Sequence, residues 1–536
     1  MVQRIGRFIS RNIKKRLCKP KSIGEEEFAF RNAPFWQNAN GEKNADKRIL
    51  VYVAGNYITP VLETMLFAKK LSEVRGLSID VFVGGDINHN PICNVYRSFQ
   101  IHDIFGSNLT VLEKAKVLYR AVQIWRTWKE GKDILRMRYD DIPIGEELYD
   151  TILSHWRETY TVDKIEWKHI YDAYLFYKNM YIAKRLFCSK KYGVFILSDG
   201  DYVNAPFVKF AAKYGVEIYQ TSVGRVLFHK ALKNFTLPYS SQITPHMYES
   251  CRSMVSKDVI DQYLAVRFRG EAKADYDRQA FLGKREYSKE ELCKLSGIPI
   301  GTDMKLVVVA AHAFSDRPHS GDIMVYQDYY QWLVETLKIL DQVEDIVVFV
   351  KEHPSALLYG EKGSISHLVK QYGWSQIHTL PEDFHTYSIF SYFDYVVTCK
   401  GTIGLEAASF GIPVFTAGQG YYYGFGVDIN STTTTEYEGC LRNIKSYGRR
   451  PDTVRARAKV LLYLMGQITP PYAPPIIPAD RFRADVDQLR SEEYQYAYIN
   501  ERLKEGKSIK EGYYERVLED IIVFDEAVGT VYEDLS

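Results

Sequence analysis

The chain has 536 residues, 46% hydrophobic and 25% charged, with 69 Lys plus Arg against 67 Asp plus Glu. At about 150 residues per domain that length holds two or three domains, and the near balance of charge argues against a dedicated nucleic-acid binder. No apolar run reaches the ~18 residues that span a bilayer, and the seven scattered cysteines include no CxxC pair, a pattern that fits a reducing compartment such as the cytoplasm.

The N-terminal stretch MVQRIGRFISRNIKKRLCKPKS departs from this balance. It carries eight Lys or Arg residues before the first acid, Glu25, while Val2, Ile5, Ile9, Ile13 and Leu17 recur at helical spacing. A basic helix lying on an anionic membrane is expected over residues 1–21, in a segment ending near residue 45. Next, RILVYVAGN (48–56), a helical stretch, and SIDVFVGGD (78–86) form a strand, a helix and a strand, hence a parallel βαβ unit. Residues 111–187 turn helical and aromatic, an insertion whose tryptophans and tyrosines read as core. The sheet pattern resumes at GVFILSDGDYVNAPFVKFAAKYGVEIYQTS (193–222). Its Ser198-Asp199-Gly200-Asp201 loop sits at the carboxyl end of a strand, where open α/β sheets bind ligands.

Ser288 and Glu291 form a capping box, and SGIPIGTD (296–303) reads as a linker. A second α/β run follows, with strands at KLVVVA (305–310), DIVVFV (345–350), DYVVTC (394–399) and IPVFTAG (412–418). The expected organisation is a domain over 46–295, a second over 296–450 and a helical extension over 451–536, broken by TPPYAPPIIP (469–478).

The motif KEHP (351–354) follows a strand, and its proline predicts a helix start. Pro354 suits the first helical position, and free amides there favour a bound anion. His353 can donate to a phosphate oxygen and Lys351 can add charge. In CKGTIGLEAASFGIPVFTAG (399–418), Gly401 and Thr402 open another helix, with Thr402 expected as its N-cap. Glu406, one turn on, is placed to accept from ribose hydroxyls, and Gly418 ends the next strand beside this set. For proton transfer the candidates that follow a strand are His312 and Asp316. Arg317 and His319 are secondary candidates to meet the acceptor or a phosphate, and Asp383 and His385, ranked lower, to reach the nucleotide.

KEHP, GTIGLEAASFGIPV, TAGQGYYYGFG and AHAFSD together resemble the donor domain of bacterial capsule polysaccharide synthesis glycosyltransferases, over about residues 305–430. The resemblance implies a GT-B fold, two Rossmann-like doubly wound domains facing a central cleft. The C-terminal one would hold a nucleotide-sugar and the N-terminal one the acceptor. In members using CMP-activated ulosonic acids such as Kdo, and in similar sialyltransferases, an HP motif and a Ser/Thr motif contact the phosphate or nucleotide. Those roles fall on His353, Pro354, Gly401 and Thr402. The sialyltransferases' paired-acid-Gly motif, whose Asp is the general base, is matched by Ser198-Asp199-Gly200, with serine in place of one acid. Glu352 stands where relatives often have proline.

The function so implied is transfer of a sugar from a nucleotide donor to a capsule or other surface glycan. No metal and no cofactor is expected, because helix amides and His353 can stabilise a leaving phosphate. The expected partners are a nucleotide-sugar, a glycan or glycolipid acceptor and an anionic membrane surface. Alternatives on the same fold are a teichoic-acid-type glycerophosphate or ribitol-phosphate transferase, a UDP-sugar 2-epimerase, and a non-catalytic scaffold.

Overall fold

The computed structural model describes residues 24–36, 47–222, 225–229, 243–271, 280–297, 303–467, 476–478, 491–510 and 514, apart from positions 56, 86, 88, 89, 190, 244, 282 and 322. The basic segment 1–21, most of the linker 296–303 and most of 469–478 lie outside them. The chain divides into two compact units, Met1–Asn108 with Ala473–Ile522, and Leu109–Tyr472 with Val523–Ser536. This division differs from the borders expected at 45, 295 and 450, which remain a proposal from sequence.

In the first unit β1 (Arg48–Tyr52), β2 (Ile79–Val83) and β3 (Ile104–Gly106) lie parallel in the order β3-β2-β1. The helix Ile58–Arg75 links the first two, as the βαβ pattern requires. Helix Glu25–Asn32 packs beside Glu492–Lys504, where Phe28 meets Tyr496 edge-on with ring centroids 6.4 Å apart. The Thr59 hydroxyl donates to Gln495 at 2.6 Å, tying residues far apart in sequence.

The second unit opens with helices Val111–Thr127, Gly145–His155 and Ile170–Cys188, joined by a short hairpin of β4 (Arg138–Tyr139) and β5 (Ile142–Pro143). β6 (Tyr192–Leu197) then pairs parallel with β7 (Glu217–Ser222), which pairs antiparallel with β8 (Arg225–His229). The capping box forms as expected: Ser288 Oγ accepts from the Glu291 amide at 3.3 Å, and Glu291 accepts from the Ser288 amide at 2.9 Å.

A second sheet holds β9 (Lys305–Ala310), β10 (Ile346–Lys351), β11 (Ile377–Thr379), β12 (Tyr395–Thr398), β13 (Val414–Thr416) and β14 (Ile429–Asn430). All its pairs are parallel and its order is β11-β10-β9-β12-β13-β14. Chain order therefore reverses between β9 and β12, the switch point where such sheets open a crevice. Its strands read as continuous apolar runs because both faces are covered. Leu306, Val308, Val347 and Phe349 pack with residues of helices Lys257–Phe268, Thr402–Ser409 and Asp452–Gln467. The alternate residues Val307, Val309, Val348 and Val350 pack with those of Tyr329–Leu340 and Thr434–Arg442. Gly411, at φ 77°, ends the helix Thr402–Ser409 where an added Cβ would lie 2.9 Å from Arg455 Cδ.

Among the described residues no helix is long and apolar enough to cross a membrane, and no group of three or more His, Cys, Asp or Glu is arranged to hold a metal ion.

Candidate active site at the strand ends

The carboxyl ends of β9, β10 and β12 bring the KEHP and GT motifs together. His353 and His312 lie with their rings 6.2 Å apart and nearly parallel, and His312 stacks on Tyr329 at 4.2 Å. Burial, reinforced by Lys351 and opposed by Asp316, lowers the His353 pKa to about 4, so the ring is neutral at physiological pH. Its Nδ1 accepts from the Ser355 amide at 3.2 Å, which leaves the proton on Nε2 and makes the ring a neutral donor.

Several details differ from the sequence expectation. Pro354 does not start a long helix: the chain turns at Pro354 and Ser355, then makes only the one-turn helix Ala356–Tyr359 before Ser364–Tyr372. Glu352 accepts from the Gly363 amide at 2.8 Å at the start of that second helix, so its carboxylate already has a structural partner. Gly401, not Thr402, is the N-cap of the helix Thr402–Ser409. The Gly401 amide donates to Thr398 Oγ1, and a Cβ at Gly401 would come within 2.9 Å of that oxygen, so the close approach demands glycine. The first helical amides, Thr402 and Ile403, still lack intrahelical acceptors.

Glu406 is buried, and its Oε1 accepts from Nε and Nη2 of buried Arg267 at 3.0 and 2.8 Å. One carboxylate oxygen is thereby committed to packing, not free for a ribose. Gly418 is buried too: its carbonyl accepts from Asn430 Nδ2 at 2.9 Å, and an added Cβ would meet Ile323 and Cys399. His312 Nε2 accepts from the Lys400 amide at 3.4 Å, so that nitrogen braces the helix start and is not offered for proton transfer. Lys351 ends β10 with its pKa lowered to about 8 by burial and by Lys284.

Beyond β9 the loop 311–321 is gripped from several elements. Glu361 accepts from the amides of Phe314 and Ser315 and from the Ser315 hydroxyl at 2.6, 3.0 and 2.6 Å. Lys400 Nζ donates to the carbonyls of Pro318 and Ser320. His319, a secondary candidate, lies buried between Asp150 at 2.6 Å and the Gln327 carbonyl at 2.9 Å. Burial opposes its protonation, but the charge and hydrogen bond of Asp150, together with the charge of Glu146, raise its pKa on balance. Its role is thus to fix the loop.

This grip presents Asp316 and Arg317 to a cavity of about 510 Å³, whose walls also include His155, Arg157, Asp199, Asp201, Tyr202 and Tyr359. Arg317 is paired with Asp201, and the Tyr202 hydroxyl donates to the Ser315 carbonyl at 3.1 Å. Both Arg317 (φ 45°) and Tyr202 (φ 52°) hold left-handed backbone, a strain of ~1–3 kcal/mol each that such contacts must sustain. Asp199 Oδ1 accepts from the Asp201 amide at 3.0 Å. Burial first, and then the Asp201 charge, raise the Asp199 pKa to about 7. Its ionisation therefore opposes folding: the penalty is absent below about pH 4, grows as pH rises to 7 and is full above. Asp199→Asn is expected to raise the melting temperature at pH 8 and leave it unchanged at pH 3.5. The reverse order in a two-pH melt would contradict this environment.

Sequence reasoning found Asp199, Asp316 and Arg317 but missed His155, Arg157, Tyr359, Glu361 and Lys400. Lys400 stood beside Gly401 in a motif already singled out. His155 and Arg157 stood in an aromatic stretch read as core. Asp383 and His385 are turned to local work: Asp383 accepts from the Tyr287 hydroxyl at 2.7 Å, and His385 Nδ1 accepts from the Tyr387 amide at 3.2 Å.

Comparison with known proteins gives a family match over residues 333–450, to a model described as capsule polysaccharide biosynthesis protein. No curated protein matches. Among solved structures, the β-Kdo 2,4-transferase KpsC of Thermosulfurimonas dismutans is similar at 13% identity and TM-score 0.30, covering 51% of this chain and 80% of its own. The UDP-GlcNAc 2-epimerase of Neisseria meningitidis is similar at 10% identity and TM-score 0.25, covering 78% and 98%. Staphylococcus aureus MnaA is similar at 11% and 0.29, covering 79% and 95%. At these scores the structural likenesses carry no weight for function. The strand orders above establish an α/β fold with Rossmann-like sheets, and residues 333–450, within the second sheet and its helices, are the part of the chain that is similar to the capsule polysaccharide biosynthesis family.

Proposed function

We propose that the chain is a glycosyltransferase of capsule or related surface-polysaccharide synthesis, with a CMP-linked ulosonic acid such as Kdo or sialic acid as the favoured donor. The observation that carries this reading is that the neutral His353 donor and the start of the helix Thr402–Ser409 both border His312 at the carboxyl ends of the second sheet's strands: the His312 ring lies 6.2 Å from that of His353, and its Nε2 accepts from the Lys400 amide just before the helix. A leaving phosphate placed there receives hydrogen bonds from a helix start and from an imidazole, in the way anions are held at helix N-termini. Lys351 adds charge when protonated, and its lowered pKa is raised again by a bound phosphate. The cavity around Asp199, Asp316 and Arg317 takes the acceptor.

Calorimetry with CMP, UDP and GDP tests the donor assignment. CMP is expected to bind most tightly, with loss of affinity in Thr402→Pro, which alters the helix start. Preference for UDP favours the epimerase alternative.

We also retain peripheral attachment through residues 1–21. Deleting them is expected to lower co-sedimentation with anionic vesicles and to leave transfer in solution unchanged. Equal co-sedimentation of the two forms rejects the attachment.

A further inference from the structure

The cavity contains a histidine whose setting differs from that of every candidate picked out by sequence. His155 is the last residue of the helix Gly145–His155, and its side chain is partly open to the cavity. Its Nδ1 lies 2.5 Å from Oδ1 of Asp172, which is buried on the helix Ile170–Cys188. The other Asp172 oxygen accepts from Trp156 Nε1 at 2.8 Å. The carboxylate is therefore held from two sides, and it fixes the imidazole's orientation and tautomer. With Nδ1–H directed to the carboxylate, Nε2 is the unprotonated nitrogen, and among the described residues it meets no hydrogen-bond partner. A histidine braced in this way by a buried carboxylate takes a proton on Nε2 while the carboxylate stabilises the imidazolium that forms.

Asp199 lies in the same cavity but is set differently. One of its oxygens is committed to the Asp201 amide, within a loop that also carries the Asp201–Arg317 pair. Asp199 is thus suited to orient an acceptor hydroxyl.

We infer that His155 is the general base of the transfer and that Asp172 is its positioning residue, an inference that rests on the glycosyltransferase reading above. In the step, the acceptor oxygen bonds to the anomeric carbon and its proton passes to His155 Nε2. The bond from that carbon to the phosphate oxygen breaks, and the electron pair leaves with the nucleotide. Configuration at the anomeric carbon inverts.

The test is a transfer assay with CMP-Kdo and CMP-sialic acid on the full chain, using a capsule oligosaccharide acceptor, beside calorimetry with CMP. His155→Gln is expected to lower kcat by about a hundredfold to ten-thousandfold and to leave the CMP dissociation constant and the melting temperature unchanged. In His155→Ala, added imidazole is expected to restore part of the rate, a response that a purely structural histidine does not give. Asp172→Asn is expected to lower kcat less, and the double variant to be no worse than His155→Gln alone, as for residues acting as a unit.

A His155→Gln rate within threefold of wild type, or a product of retained configuration, overturns the inference while leaving the glycosyltransferase reading in place. A larger loss in Asp199→Asn than in His155→Gln assigns the base to Asp199 and also overturns it. Absence of any transfer by the wild-type chain, with CMP bound or not, removes the functional reading and this inference together.

Discussion

Arg267→Ala is expected to destabilise the second unit by about 3–5 kcal/mol, the usual cost of leaving one member of a buried ion pair without its partner. Arg267 and Glu406 lie within the hydrophobic layer that packs helices Lys257–Phe268 and Thr402–Ser409 against the second sheet, and both side chains are almost fully enclosed. Removing the guanidinium takes both hydrogen bonds from a carboxylate that is almost fully enclosed, leaving Lys351 as a nearby positive charge. Replacing both partners by apolar residues of similar volume, Arg267→Met with Glu406→Leu, is expected to be neutral or to stabilise by about 1–4 kcal/mol. Denaturant unfolding measures both, and a single-variant loss below 1 kcal/mol contradicts the buried pair. The double variant also answers a functional question: retained nucleotide affinity assigns Glu406 to packing, and lost affinity returns it to the ribose role expected from sequence.

His353→Ala is expected to lower kcat by about a hundredfold, the typical cost of losing one preorganised donor to charge that develops in the transition state. The fold is expected to survive, because the ring's hydrogen bond to protein is local, from the Ser355 amide. His353→Gln keeps a neutral donor near the same place and is expected to recover most of the loss. With its pKa near 4 the ring keeps one protonation state from pH 5 to 8, so it contributes no inflection to the rate profile there. Full activity in His353→Ala contradicts the phosphate role. An inflection between pH 5 and 8 that disappears in His353→Gln contradicts the neutral donor.

The strands β1, β2, β6, β9 and β10 were legible because each is a largely apolar run, rich in Val, Ile, Leu and aromatic residues, that is buried for most of its length. The strands β3, β11 and β14 were not, since two or three residues such as Ile-His-Thr leave no periodicity to read. At the site, KEHP and the Gly401-Thr402 start were visible as local patterns at strand ends. Their details were not, because Gly401 takes the N-cap under a constraint imposed by Thr398 and His312, which approach it only in the folded chain. The same limit hid the His155–Asp172 pair, whose members stand on different helices, and the clamp of Glu361 on the loop after β9. Side chains that meet across turns and helices leave no spacing signature. The packing partner of Glu406 was equally hidden, since Arg267 lies 139 positions away in sequence.

On the proposed function, the two sets of strand-end residues serve one transfer, nucleotide on the side of His353 and Gly401, acceptor on the side of Asp199 and Asp316. The most direct measurement is product analysis after incubating the wild-type chain with CMP-Kdo, CMP-sialic acid, UDP-GlcNAc or CDP-ribitol, with and without a capsule oligosaccharide. The expected product is an oligosaccharide lengthened by one ulosonic acid, with free CMP released in step and only when acceptor is present. A 2-epimer formed from UDP-GlcNAc without acceptor, or a ribitol phosphate added from CDP-ribitol, with no sugar transferred from either CMP donor, would contradict it.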